Sequence, residues 1–224
     1  PIAIMLDTKG PEYRIRSFEN GRITLKEGDR FSFTTDEIVG NQERVSVSYP
    51  GLIDDLSVGD KILLNNGLMA FEVEELTATD AVCRVLIGGE TSNNKSMSFP
   101  NKVLNQVFLS EQDKADILMG IENDVDYIAC SFVSRRQDLE DIHAFLRAHS
   151  ADHIGLIAKI ENQSGIDNIE EICQACEGIM IGRGDLGVEV PFEQLPAIQK
   201  KLITKCRLLG KRVITATEML ESMI

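Results

Sequence analysis

The chain has 224 residues, 43% of them apolar, and carries 23 lysines and arginines against 36 aspartates and glutamates, a formal net charge of −13. That length and apolar content suffice for a sizeable core in one or two domains. The acidic balance, with no basic cluster to offset it, excludes a nucleic acid or an anionic membrane surface as the expected partner. No stretch has the length and apolarity of a membrane span or the pattern of a signal peptide. Five cysteines, an odd number without a dense framework, are expected to be reduced thiols of a cytoplasmic protein.

In chain order, PIAIMLDTKG opens without Met and already inside an apolar run, which predicts a strand entered midway and a chain excerpted from a longer protein. The strand ends in Asp7-Thr8-Lys9-Gly10-Pro11-Glu12, where Gly-Pro forces a turn among charges. From Tyr13 to Met97 the texture is RITLKEG, RFSFTTD, RVSVSYP, KILLNNG, MAFEVEEL and AVCRVLI, short alternating strands punctuated by Gly, Asn, Asp and Pro. This predicts a small all-β module without helices, with a type I′ hairpin at Asn65-Asn66-Gly67.

A domain boundary is placed near residue 98, because after Phe99 helical periodicity alternates with strands. Ser110-x-x-Asp113 starts a helix through Ile117, Leu118 and Ile121, and DYIACSF is the next strand. SRRQDLEDIHAFLRAH buries Leu139, Ile142 and Phe145; after GLIAKIEN, a helix is expected to be capped by Asp167-x-x-Glu170. Cys173 and Cys176 form a C-x-x-C in helical step with Ile169 and Ile172, which with no second pair or nearby His reads as core packing rather than zinc or redox chemistry. A long helix through Leu195, Ile198, Leu202, Cys206 and Leu209 stops at Gly210, and RVITATE follows. Strand ends near Ser131, Lys159, Arg183 and Thr217 are 28, 24 and 34 residues apart, which suits βαβ units.

The chemistry concentrates at these strand ends. In GIMIGRGDLGVEVP a buried strand breaks into glycines that let backbone amides face an anion, and Asp185 offers a hard oxygen to a divalent cation. In GLIAKIEN, Lys159 and Glu161 are two apart and share a strand face. From the residues alone, ordinary loop chemistry and a structural ion pair stand open beside the functional readings.

KIEN, GRGDLG with its trailing VEVP, LDTKGPE at residues 6 to 12 and ATEMLESM at 216 to 223, in one order, resemble pyruvate kinase along the whole chain. The resemblance implies an α/β fold: a partial (β/α)8 TIM barrel, strands three to seven, over residues 1–12 and 98–224, with an inserted small all-β barrel lid over 13–97. It implies transfer of a phosphoryl group from phosphoenolpyruvate to ADP, giving pyruvate and ATP in the last step of glycolysis, by a cytoplasmic homo-oligomer, a homotetramer in the family. The expected cofactors are Mg²⁺ (or Mn²⁺), on Glu161 and Asp185, and K⁺, on Asp7 and Thr8, with Glu12 at the position that accompanies a K⁺ requirement. Lys159 matches the lysine against the phosphoryl group and enolate oxygen, and Thr217 the threonine of the proton relay. Amides around Gly184 and Asp185 match the substrate-carboxylate site, Arg14 and Lys95 the nucleotide side, and Ser131 and Phe132 supporting positions, while Arg183 reads as structural.

Several residues depart from the family's pattern. Asn65-Asn66 replaces two aspartates, Ser96 to Pro100 replaces Gly-Val-Asn-Leu-Pro, Phe108-Leu109 replaces Leu-Pro, Gly182 replaces alanine, and Glu218 replaces glutamine. Two other readings are a catalytically silent homologue and a Mg-dependent lyase of the phosphoenolpyruvate superfamily. An excerpt of five strands exposes two sheet edges, and alone it is expected to be inactive and weakly stable or self-associating.

Overall fold

Two separate apolar cores organise the chain. The structure, a computed structural model, describes residues 2–100, 102, 104–105 and 107–217, and it divides into one unit of Pro1–Pro11 with Val107–Ile224 and another of Glu12–Gln106. The glutamate at 218 and the rest of the ATEMLESM stretch lie outside the described residues.

The first unit begins with β1 (Met5–Asp7). The second then runs β2 (Tyr13–Arg14), β3 (Arg22–Leu25), β4 (Arg30–Thr34), β5 (Arg44–Ser46), α1 (Leu52–Asp55), β6 (Lys61–Leu64), β7 (Met69–Leu76), β8 (Asp80–Ile87), β9 (Gly89–Ser92) and β10 (Ser96–Ser98). Seven of these strands form one sheet, in the order β2-β10-β6-β7-β8-β4-β5, while β3 pairs with β9. Alternation drives the arrangement: in β4, Phe31 and Phe33 point to one face, where they meet Phe71 of β7 with ring centroids 5.0 to 6.0 Å apart. Between β6 and β7, Asn65, Asn66 and Gly67 have φ of 56°, 55° and 79°, and the Leu68 N–H donates to the Asn65 carbonyl at 3.2 Å. Consecutive left-handed residues are what a type I′ turn requires. The single turn of α1 has no counterpart in the expected all-strand module; Leu52, fully buried, holds it to the core.

The first unit resumes with α2 (Glu111–Glu122), β11 (Tyr127–Cys130), α3 (Arg136–Ala148), β12 (Gly155–Ile160), α4 (Gln163–Asp167), α5 (Ile169–Gln174), β13 (Gly178–Ile181), α6 (Arg183–Glu189), a 3-10 turn at Phe192–Gln194, α7 (Leu195–Leu208) and β14 (Arg212–Thr215). Its five strands are all parallel, ordered β1-β11-β12-β13-β14. Ser110 caps α2 by accepting the Asp113 N–H at 3.1 Å, and Asp138 anchors the start of α3 by accepting the Ser134 and Arg135 N–H groups. Strand parity sorts the sheet's faces. Ile128, Cys130, Leu156, Ala158, Ile160, Ile179 and Ile181 pack with helix residues such as Leu139, Ile142, Ile172 and Leu202, whereas Ala129, Ile157 and Met180 form a small cluster of their own on the other face. Asp7, Ser131 and Lys159 fall on that second face, at the carboxyl ends of their strands.

Four local expectations are corrected. Asp167 caps nothing: it ends α4, which Asn162 caps by accepting the Gly165 N–H, and α5 starts after Asn168 without a side-chain cap. The glycine-rich GRGDLG, where the strand was expected to break into a tight turn, is the N-cap and first turns of α6. Leu209 lies past the end of α7 and is half exposed rather than inward. The opening apolar run is exposed at Ile2 and Ile4, since only Met5–Asp7 pairs with a described strand.

Phe71→Ala empties the centre of the three-ring cluster and is expected to destabilise the β unit by about 3 to 5 kcal/mol, read as a shift of its urea midpoint.

Candidate active site

Lys159 leaves β12 on the face opposite the helices, and its side chain is only 14% exposed. An ammonium so placed must be paired to be tolerated. Its Nζ lies 3.3 Å from Glu161 Oε1, 3.1 Å from Asp7 Oδ1 and 2.8 Å from Ser131 Oγ. Burial pulls the Lys159 ammonium down, and the carboxylates of Glu161 and Asp7 outweigh it, leaving its pKa above the ordinary lysine value. It is therefore a fixed positive charge, held in place by its partners.

The partners are themselves held. The Ser131 hydroxyl donates to the Thr8 carbonyl at 2.6 Å and lies 3.2 Å from Asp7 Oδ1, while the Ser131 N–H donates to Thr8 Oγ1 at 3.2 Å. Thr8 Oγ1 also donates to the Ala129 carbonyl at 3.3 Å. Gly10, with φ of 69°, passes so close that a Cβ there would fall 2.8 Å from the Ser131 carbonyl oxygen. Its N–H donates to Asp113 Oδ1 at 3.0 Å, which ties the loop after β1 to the start of α2.

Glu161 is buried, and its Oε2 accepts the Phe132 N–H at 2.9 Å. Phe132 reaches that position with φ of 58°, an outlier for a bulky side chain. Burial raises the Glu161 carboxyl above its ordinary value, against Lys159 and the Phe132 amide, and Asp185 adds to the rise. Gly182 stands tight against it: a Cβ there would fall 2.5 Å from Glu161 Cγ, so glycine gives this carboxyl its room.

Asp185 lies in the first turn of α6 beside Gly184, above which a Cβ would meet nothing within 4 Å. Thr217, two residues beyond β14, is exposed with φ of 70°, again unusual for a β-branched residue. Glu189, four residues after Asp185 and so on the same side of α6, is pushed up to about 7 by burial and then by Asp185. Neither its burial nor the Lys159–Asp7 contact was foreseen; parity at strand ends was the one signal for the latter.

Glu12, Arg14 and Lys95 belong to the other unit. Arg14 forms an ion pair with Glu12 and donates to the Asn94 carbonyl at 2.5 Å, and the Lys95 carbonyl accepts the Ile15 N–H at 3.0 Å. Two of the departing positions touch in this unit: the Ser96 hydroxyl donates to Asn66 Oδ1 at 2.9 Å.

A parallel α/β sheet with a buried lysine, paired carboxylates and a glycine-flanked aspartate at its strand ends has the features of an α/β enzyme site. Residues 1–224 match the family model for the pyruvate kinase barrel domain. The chain is 52% identical over 224 residues to the pyruvate kinase of Geobacillus stearothermophilus and 44% identical over 223 residues to that of Clostridium perfringens; 99% of the chain is covered in each case, but only 38% and 47% of those proteins. A solved pyruvate kinase from Cryptosporidium parvum superposes with a TM-score of 0.91 at 37% identity, over 99% of this chain and 46% of that one. The chain belongs to the pyruvate kinase family. Among the described residues, no helix is long and apolar enough to cross a membrane.

Two outcomes follow from this geometry. Asp113→Ala removes the partner of the Gly10 amide and is expected to speed hydrogen exchange there at least tenfold, an unfinished bond costing about 1 to 3 kcal/mol. Glu189 has a folded-state pKa above its unfolded one, so the folded protein binds the extra proton and stability falls as pH rises from the ordinary glutamate range to about 7. Glu189→Gln is therefore expected to be about 1 to 3 kcal/mol more stable than wild type at pH 8 and equal to it at pH 4, measured by thermal unfolding in chelator. An equal gap at both pH values contradicts this.

Proposed function

We propose that this chain is the catalytic portion of a pyruvate kinase that transfers the phosphoryl group of phosphoenolpyruvate to ADP, yielding pyruvate and ATP. The observation that carries the reading is Lys159, largely buried and held among Asp7, Ser131 and Glu161. In this reading the five parallel strands are strands three to seven of a (β/α)8 barrel, and the β unit, residues 13–97 by the sequence reading, is its lid.

The bond from phosphorus to the enol oxygen breaks while a β-phosphate oxygen of ADP bonds to phosphorus, and the enolate left behind takes a proton on its methylene carbon. Lys159 meets the negative charge that grows on the phosphoryl and enol oxygens, with no reorganisation required of it. Asp7 and Ser131 hold its chain in place, so the ammonium does not swing toward solvent. The amides around Gly184 and Asp185 receive the substrate carboxylate in the open space over Gly184. Thr217 orders the water that delivers the proton, since a lone hydroxyl is a poor acid. Arg14 and Lys95 serve the nucleotide phosphates, as separate basic groups of the β unit.

The donor set fits a divalent cation. Glu161 and Asp185 repel each other, and among the described residues no third His, Cys, Asp or Glu joins them. Mg²⁺ commonly takes one or two carboxylates and completes its shell with water and substrate oxygens. Glu161 and Asp185 would hold Mg²⁺ or Mn²⁺, which when bound supplies charge neutralisation to the transferring group. Asp7, whose carboxylate is 59% exposed, and Thr8 would hold K⁺ together with ligands beyond this chain.

Pyruvate release from phosphoenolpyruvate by the whole protein with Mg²⁺ and K⁺ tests the reading. Release is expected to require ADP, and Lys159→Met is expected to lower kcat by about 100-fold or more. Release without ADP points to a phosphatase or lyase, and binding without release to a silent homologue.

A further inference from the structure

The C-x-x-C spacing is misleading about which cysteines meet. Cys176 turns its thiol to the Ile172 carbonyl at 3.3 Å, while Cys173 Sγ lies 3.4 Å from Sγ of Cys206, 33 residues further along and on a different helix. We propose that Cys173 and Cys206 are a reversible dithiol–disulfide pair, oxidised by a hydroperoxide, that staples α5 to α7.

Several observations converge on this pair rather than on the other cysteines. The two sulfurs are already in contact and need to close by only about 1.4 Å to reach a disulfide bond. The helices carrying them are pinned together by a second contact, Lys205 of α7 to Glu170 of α5 at 2.5 Å. A second cation stands nearby: the Lys211 ammonium donates to the Cys176 carbonyl at 2.7 Å. Their contact is a hydrogen bond in which either sulfur can donate, and Lys205 favours a thiolate on both. Burial pushes Cys83 and Cys176 up to about 12 and Cys130 well above its ordinary value.

Both sulfurs are buried, Cys173 at 1% and Cys206 at 0% exposure, so the oxidant must enter by local opening. Cys206 sits in the last turn of α7, followed by the exposed Leu208 and Leu209 and by Gly210 at φ of 71°, the end at which a helix frays most readily. Hydrogen peroxide is little larger than water and needs only such fraying.

The chemistry balances without any further reactant. The thiolate of one of the pair attacks one peroxide oxygen, the O–O bond breaks, and a sulfenic acid and hydroxide result, the hydroxide taking the proton the thiol gave up to leave as water. The other sulfur then attacks the sulfenic sulfur, the S–O bond breaks, and a second water leaves with the remaining thiol proton. Two thiols lose two electrons in all and the peroxide gains them. The closed loop, Cys173 to Cys206, encloses β13 and the whole of α6. Oxidation therefore tethers the segment that carries Gly184 and Asp185, from its far side and without touching either residue.

The test is peroxide treatment of the whole folded protein, then alkylation and non-reducing peptide mapping. The expected product is a Cys173–Cys206 linked peptide, lighter by two hydrogens than its reduced parts, reversed by dithiothreitol and unchanged in Cys176→Ala. In Cys206→Ser and in Cys173→Ser, dimedone is expected to trap a sulfenic acid on the remaining cysteine of the pair in at least one of the two variants. A Cys173–Cys176 link, a link that forms only after denaturation, or no dimedone capture on either cysteine of the pair overturns the proposal.

Discussion

A largely buried ammonium is the constraint around which the rest of the first unit is arranged. Removing Lys159 from water costs several kcal/mol unless charge and hydrogen bonds replace its hydration. The replacements come from three different strands' ends: Asp7 as the last residue of β1, Ser131 after β11 and Glu161 after β12. They converge only in the observed parallel register, where Asp7 stands beside Ala129 and Lys159 beside Met180. A one-residue slip of any strand would turn its polar end residue into the helix-packed layer. Pairing the lysine and setting the register are thus one problem with one solution.

That arrangement also explains where irregular backbone is tolerated. Phe132 adopts a left-handed conformation and directs its N–H to Glu161, and Gly182 makes room for the same carboxyl. Strain of this kind persists where surrounding contacts over-determine the chain. Here the contacts come from the helix-facing core, in which Ile160, Ile181 and Leu186 are fully buried close by in sequence. A rigid outer layer holds an unusual inner end of the sheet. The β unit has its own core, centred on Phe31, Phe33 and Phe71.

Much of this was legible in sequence, and what was missed has a common cause. Continuous apolar runs such as GIMI marked buried strands, and Lys159 and Glu161, two apart, were expected on one face; their charged atoms do meet. The family was legible from KIEN, GRGDLG and LDTKGPE, and residues 1–224 match its barrel-domain model. What could not be read was anything set by packing between distant segments: the approach of Asp7 to Lys159, the pairing of Cys173 with Cys206 rather than Cys176, and the burial of Glu189. Local propensity also misled where helix and turn use the same residues. The glycines of GRGDLG are good turn formers, but Leu186 fits the core only if the segment coils into α6, and burying it outweighs their preference.

The most direct test of the account is Mn²⁺ binding to the whole protein, followed by electron paramagnetic resonance of the free ion. The account predicts one site per chain whose affinity falls at least tenfold in both Glu161→Gln and Asp185→Asn while the fold is retained. Undiminished binding in both variants would contradict it and would leave Lys159 and Glu161 as a structural ion pair.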